Sequence, residues 1–311
     1  MPEIAIVGGT GIYNPDTFEL IREVRPDTPY GRTSSKILIG RIAGVEVAFL
    51  FRHGVGDEKY PPSSVPYRAN MWALKELGCK YVISACAVGS LQEQFAPGDL
   101  VIADQFIDFT KRRDYTYFDD RIVHISIPDP FCPYLNGIFA DTAKQMGIRY
   151  HQGGRYMCIE GPRFSTRAES MMFRNFADII GMTVVPECQL ARELGMCYCS
   201  LATVTDYDCW KDEDVTIEMN QARETTAIYI NILDSTMDTY ANIINNNMNT
   251  VMRLLTSLNM IILFPTFITS MFGMNLINGM EQWKWGFPIA IIACVVSTAV
   301  SLLWFRKKNR L

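Results

Sequence analysis

The sequence predicts an α/β domain with a mixed sheet and flanking helices over residues 1–217. A long helical stalk over 218–253 and a two-helix transmembrane hairpin over 254–311 are predicted to follow. Three observations carry this reading. Short apolar runs alternate with helical stretches through the first two thirds of the chain. A glycine-rich turn, Gly8-Gly9-Thr10-Gly11, follows the first apolar run. Two long segments near the C-terminus contain no charge.

A chain of 311 residues holds one ordinary domain plus a substantial appendage. Its net charge of −4 excludes a bulk electrostatic pull toward nucleic acid. The N-terminus MPEIAIVGGTG lacks the basic region and cleavage site of a secretory signal. Nine cysteines occur without metal-like spacing, so no metal is expected in the first domain. Cys197 and Cys199 lie in an apolar run and read as strand packing in a reducing, cytosolic setting.

Strands are expected at 3–7, 36–42, 45–51, 80–85, 99–103, 155–160 and 196–205, and helices at 65–77, 134–146 and 165–177. Their alternation argues for one sheet with helices against it. The glycines of the first turn let the backbone bend sharply and aim N–H groups at an anion, and Thr10 adds a hydroxyl. Arg52 and His53 stand at a strand end, where a planar guanidinium fork beside a ring N–H suits phosphate. The small residues of Ser84-Ala85-Cys86-Ala87-Val88-Gly89-Ser90 let backbone amides approach a ligand.

Two later segments complete the pattern. One is Glu160-Gly161-Pro162-Arg163-Phe164-Ser165. The other joins Gly181-Met182-Thr183, followed by Val-Pro-Glu, to Asp206-Tyr207-Asp208-Cys209-Trp210. With Asp104-Gln105-Phe106-Ile107-Asp108, these motifs in this order resemble the purine nucleoside phosphorylase family, and most closely its branch of S-methyl-5′-thioadenosine phosphorylases. The resemblance implies phosphorolysis of a purine nucleoside, a reaction of purine and methionine salvage. Inorganic phosphate would be the co-substrate, with no cofactor.

The resemblance also assigns roles. Thr10, Arg52, His53 and Thr183 would bind phosphate, with the backbone at Cys86 and Ala87. Met182 would lie against the ribose and Phe164 against the base. Asp206 would be the catalytic acid, and Asp206 and Asp208 would read the purine. Ser165 would set specificity; Ile217 and His124 would border the 5′ substituent, His124 reaching into a neighbouring subunit of a homotrimer. Physically, a leaving purine is an anion unless N7 is protonated, and a partly buried carboxylic acid can share that proton. Carboxylates favour a 6-amino group, which points to adenine. The family often carries asparagine where this chain has Gly181, and its C-terminal helical segment gives way here to the stalk.

The C-terminal part reads differently. No charge occurs from Leu254 to Met280 or from Trp285 to Phe305. Each segment is long enough to cross roughly 30 Å of hydrocarbon as a helix. Arg306, Lys307, Lys308 and Arg310 predict a cytoplasmic C-terminus, and two passes then place the N-terminal domain on the same side. The expected location is the cell membrane, with lipid as a partner. Before the first span, apolar residues from Met219 through Ile230, Leu233, Met237 and Tyr240 to Val251 recur at helical spacing.

With Gly273-Met274-Asn275 near the end of the first span, this region resembles the C-terminal part of CorA-type magnesium transporters. In that family the glycine-methionine-asparagine loop selects Mg²⁺ in a homopentamer, so ion selectivity would rest on Gly273, Met274 and Asn275. Two alternatives to a membrane-tethered phosphorylase follow: a magnesium channel subunit, or an inactive gene fusion. No Gly/Ser/Pro linker marks the junction near Glu218, and one continuous helix cannot easily join a closed trimer to a closed pentamer.

Overall fold

Strand β1 (Ile4–Gly8) is buried at every position, as a parallel strand covered on both faces must be. It pairs in parallel with β4 (Val45–Phe51) on one side and with β5 (Tyr81–Ser90) on the other. The computed structural model describes residues 1–9 and 17–211, with residues 263, 266, 270, 288, 291, 292 and 294–298. The chain divides into two units, Met1–Ala241 and Asn242–Leu311, and the sheet lies in the first.

Beyond β4 the sheet continues antiparallel through β3 (Ile37–Ile42) and β2 (Glu19–Val24). The β3–β4 connection is Ala43-Gly44, with φ of 48° and 80°. Positive φ at both central residues is the turn that matches the twist of a hairpin.

The hub is β5. Its first half lies beside β1, with Ile4 opposite Tyr81 and Val7 opposite Ser84. Its far end pairs antiparallel with β10 (Ile179–Gly181), with Ile180 opposite Gly89 and Ile179 opposite Ser90. Between these pairings, residues 85–88 have no strand beside them on that edge among the described residues. The other edge of β5 is held along its whole length by β11 (Cys197–Tyr207), in parallel. A register shift between Val204 and Asp206 marks a bulge at Thr205. Bulges bend a strand and re-aim its side chains, and this one sets Asp206 opposite Gly89.

Two branches complete the sheet. β10 pairs with β9 (Arg155–Ile159), and β9 with β7 (Gln105–Phe109). β11 pairs with β6 (Leu100–Ile102), and β6 with β8 (Tyr150–Gln152). Helices α1 (Tyr67–Glu76), α2 (Pro133–Gln145), α3 (Arg167–Phe173) and α4 (Val184–Glu193) accompany it. α1 buries Ala69, Met71, Ala73 and Leu74. α3 starts in a capping box, in which the Thr166 side chain accepts from the Glu169 N–H while Glu169 accepts from the Thr166 N–H.

One ion pair ties this arrangement together. Arg52 follows β4 and is 2% exposed; Glu187, on α4, is fully buried. Arg52 Nε and Nη2 donate to the two Glu187 oxygens at 2.5 and 3.0 Å. Nη2 also donates to Ser84 Oγ and the Val7 carbonyl, and Nη1 to the Ala85 carbonyl. Tyr198 Oη and Ser84 Oγ complete the carboxylate's hydrogen bonds. Burial lowers the basicity of Arg52, but the Glu187 charge and its hydrogen bonds outweigh that and hold the guanidinium above its ordinary value. The pair joins the ends of β1 and β4, the middle of β5, α4 and β11.

The mixed sheet with flanking helices agrees with the sequence reading. The expected cell-membrane location is corrected. A crossing helix needs about 20 continuous apolar residues, and among the described residues no helix is long and apolar enough to cross a membrane. The predicted stalk over 218–253 and Gly273, Met274 and Asn275 lie outside the described residues, as does most of 254–311.

Replacing one partner of a buried pair leaves an uncompensated charge, at a cost of about 3–5 kcal/mol. Glu187→Gln is therefore expected to lower the thermal midpoint by on the order of 10 °C. Calorimetry of the variant beside the parent checks this; an unchanged midpoint contradicts the role given to the pair.

Candidate active site

The parallel strands β1, β4, β5 and β11 deliver their carboxyl ends to the stretch of β5 where one edge is unpaired. In open α/β sheets ligands settle in the crevice at such ends, where the strand order changes. β10 runs the other way along β5, so the residues after Gly181 return past Val88 toward Ala87 and Cys86. Met182 and Thr183 are thus directed toward the part of β5 on which Arg52 is held through the Ala85 carbonyl.

At the first end, the Arg52 fork is closed on Glu187 rather than open to a ligand. One Nη1–H remains without an acceptor among the described residues. His53 has its Nδ1 at 2.9 Å from the Tyr60 carbonyl, a contact a ring can make only as a donor, which leaves Nε2 as the outward nitrogen. Burial, and then the neighbouring Arg52 charge, push the His53 pKa down, so the neutral ring is favoured. Cys86 is buried, with Sγ 3.5 Å from Ser200 Oγ; Ala87 is exposed. Thr183 is 7% exposed and occupies the N-cap position of α4, yet its side chain makes no capping bond.

At the second end, Asp206 and Asp208 pack over Gly89. A Cβ there would sit 3.2 Å from Asp206 Oδ1 and 3.5 Å from Asp208 Cβ, so a bare backbone is what lets the carboxyl groups approach. Thr205 Oγ1 donates to Asp206 Oδ2 at 2.7 Å. Ser165 Oγ donates to Asp208 Oδ2 at 2.5 Å, and the Asp208 N–H to the Ser90 carbonyl. Burial pushes the Asp206 carboxyl up; the Thr205 hydrogen bond opposes this and the Asp208 charge adds to it. Trp210 Nε1 anchors the loop on the Ser90 carbonyl, with Arg174 stacked 3.5 Å over its ring.

Arg113, which the sequence reading missed, braces the two ends. Its side chain donates to the carbonyls of Met182, Val185, Ile159 and Glu160 and to Tyr67 Oη. Glu187 and Tyr156 were missed as well. The one signal available was that Glu187 closes the Val-Pro-Glu after Gly181-Met182-Thr183. Met182 is half-buried; a Cβ on Gly161 would meet its sulfur at 2.5 Å. Phe164 is 79% exposed. His124 is exposed in the irregular segment between β7 and α2, and no hydrogen bond to the other expected site residues is described. Thr10 and Ile217 lie outside the described residues.

The sequence model of the Phosphorylase superfamily matches residues 3–230. The chain belongs to this superfamily. It is 61% identical over 216 residues to an S-methyl-5′-thioadenosine phosphorylase of Thermococcus kodakarensis, covering 69% of this chain and 83% of the relative. To that of Saccharolobus solfataricus it is 53% identical over 218 residues, covering 69% and 80%. A crystal structure of a methylthioadenosine phosphorylase from an antarctic soil metagenomic library superposes with a TM-score of 0.74 at 43% identity, covering 78% of this chain and 87% of that one. The Schistosoma mansoni methylthioadenosine phosphorylase in complex with tubercidin gives 0.72 at 35% identity, covering 78% and 92%.

The phosphorylase is thus a pentosyltransferase of the purine nucleoside phosphorylase type, with inorganic phosphate as co-substrate. Over its last part, residues 211–307 match the family described as CorA-like Mg2+ transporter protein.

Space at Gly181 tests the packing of the phosphorylase site. A Cβ there would collide with Tyr156 Oη and lie 2.6 Å from its Cζ. Gly181→Ala is expected to destabilise by about 1–3 kcal/mol through overpacking. Tyr156→Leu in the same chain should restore most of the loss, as read by chemical denaturation.

Proposed function

We propose that residues 1 to about 217 cleave S-methyl-5′-thioadenosine with phosphate, giving adenine and 5-methylthioribose 1-phosphate. The observation that carries this is the paired carboxyls of Asp206 and Asp208 over Gly89, with Asp206 biased toward its protonated form. The printed names of the relatives support the same nucleoside.

Along β5 the Cys86–Ala87 backbone and Gly89 are separated by two to three residues, on the order of 10 Å at most. That leaves room for a ribose between phosphate and purine. In this reading phosphate stands at His53, Thr183 and the β5 backbone, and the spare Nη1–H of Arg52 faces it. Phosphate oxygen bonds to C1′ as the C1′–N9 bond breaks, and the electron pair passes to the purine. N7 takes the Asp206 proton, and solvent or the bound phosphate returns one. Asp208, held by Ser165, accepts from the 6-amino group. Met182 supports the ribose and Phe164 the base, with Thr10 at the phosphate and Ile217 and His124 toward the 5′ group. A homotrimer fits the exposure of His124 and Phe164, since a second subunit would cover both.

Phosphate-dependent release of adenine from methylthioadenosine by the purified full chain tests the reading; no release with phosphate present would sink it. Asp206→Asn should reduce kcat by about 10²–10⁴-fold. Its stability should move the opposite way. A carboxyl raised in the folded state costs stability once ionised, fully above its folded pKa and not at all below its unfolded value of about 3.9. The variant should match or exceed the parent midpoint near pH 7.5 and lose that advantage toward pH 3.5. A midpoint that falls at pH 7.5 would contradict the raised pKa.

A further inference from the structure

Two buried hydroxyls lie close to each other beside the phosphate end of the site. Tyr156 is fully buried on β9, and its Oη has no hydrogen-bond partner meeting ordinary geometry. Thr183 Oγ1 is in the same condition. The two are within reach of a hydrogen bond to each other, and the Cys86 thiol also reaches the phenol. A buried hydroxyl without a partner costs about 1–3 kcal/mol. An aligned chain from the phenol through Thr183 to a ligand would satisfy both at once.

Two further observations fix the direction. Thr183 precedes α4, whose backbone is non-helical at Val185, and its hydroxyl makes no capping bond. Tyr156 reaches Thr183 only because position 181 is glycine, since any side chain there would occupy the volume of the phenol. Burial, with Cys86 and Cys158 nearby, holds the phenol well above its ordinary value, so it serves as a neutral donor.

We infer that Tyr156 is a positioning residue for phosphate: its O–H donates to Thr183 Oγ1, which turns the Thr183 proton onto the bound phosphate. Tyr156 has no contact with the nucleoside and acts through Thr183 alone. Aligned hydrogen bonds in a low-dielectric site reinforce one another. The inference rests on the proposed phosphate position at Thr183.

Tyr156→Phe keeps the ring and deletes the hydroxyl. Calorimetric titration with inorganic phosphate and initial rates with phosphate and methylthioadenosine varied separately test the relay on the full chain. The phosphate Kd and phosphate KM should rise about 5–20-fold, with the nucleoside KM unchanged and the thermal midpoint within about 2 °C. Thr183→Val should weaken phosphate binding too, and adding Tyr156→Phe to it should cost nothing more, because the phenol then has no hydroxyl to orient. Unchanged phosphate binding in Tyr156→Phe, or an equal further loss in the double variant, overturns the relay. A parent chain that binds phosphate but releases no adenine overturns only the substrate reading, and the phosphate titrations still decide the relay. A parent that binds no phosphate overturns both.

Discussion

The Arg52–Glu187 pair is the constraint around which the phosphorylase site is assembled. Two charges have left water completely, and such a pair persists only if its geometry is good and its remaining hydrogen-bonding groups are used. Here the carboxylate takes both guanidinium donors, Ser84 Oγ and Tyr198 Oη, and the guanidinium takes the Val7 and Ala85 carbonyls. Those partners belong to β1, β5, α4 and β11, so satisfying one charge fixes four elements. Glu187 lies four residues after Thr183, across the non-helical backbone of Val185.

The second determinant is the exchange of partners along β5. The strand gives up β1 after Ser84 and takes β10 at Gly89. Among the described residues the interval between these pairings has no strand beside it on that edge, and the antiparallel β10 directs Met182 and Thr183 back toward it. On the opposite edge, the bulge at Thr205 turns Asp206 over Gly89. In the proposed reading, purine and phosphate ends are thereby built on one strand, which keeps their spacing rigid. Arg113 pins the loops of both ends by their carbonyls.

Much of this was legible in the sequence, and the exceptions have physical reasons. β4 occurs at the expected residues, 45–51, because its apolar run is sharply bounded. β2 was missed because it is a solvent-exposed strand, with Glu19, Arg22 and Glu23 among six residues. β8 and β10 have three residues each, too few for any periodicity. α4 begins with two valines and a proline, which read as strand or turn. The site motifs named Arg52 and Asp206 as places of interest, but not the partners the fold gives them, Glu187 and Thr205. An arginine suited to phosphate and an arginine buried on a glutamate look alike until the distant residue is placed. Tyr156 carried no signal of its own in the sequence: its significance lies in the missing side chain at Gly181.

The most direct test of the account is a crystal structure of the full chain with phosphate and a methylthioadenosine analogue bound. The account predicts phosphate at Thr183, His53 and the Cys86–Ala87 backbone, the purine on Asp206 and Asp208, and Arg52 still paired with Glu187. An Arg52 that swings from Glu187 onto phosphate, or a purine bound away from Gly89, would contradict it.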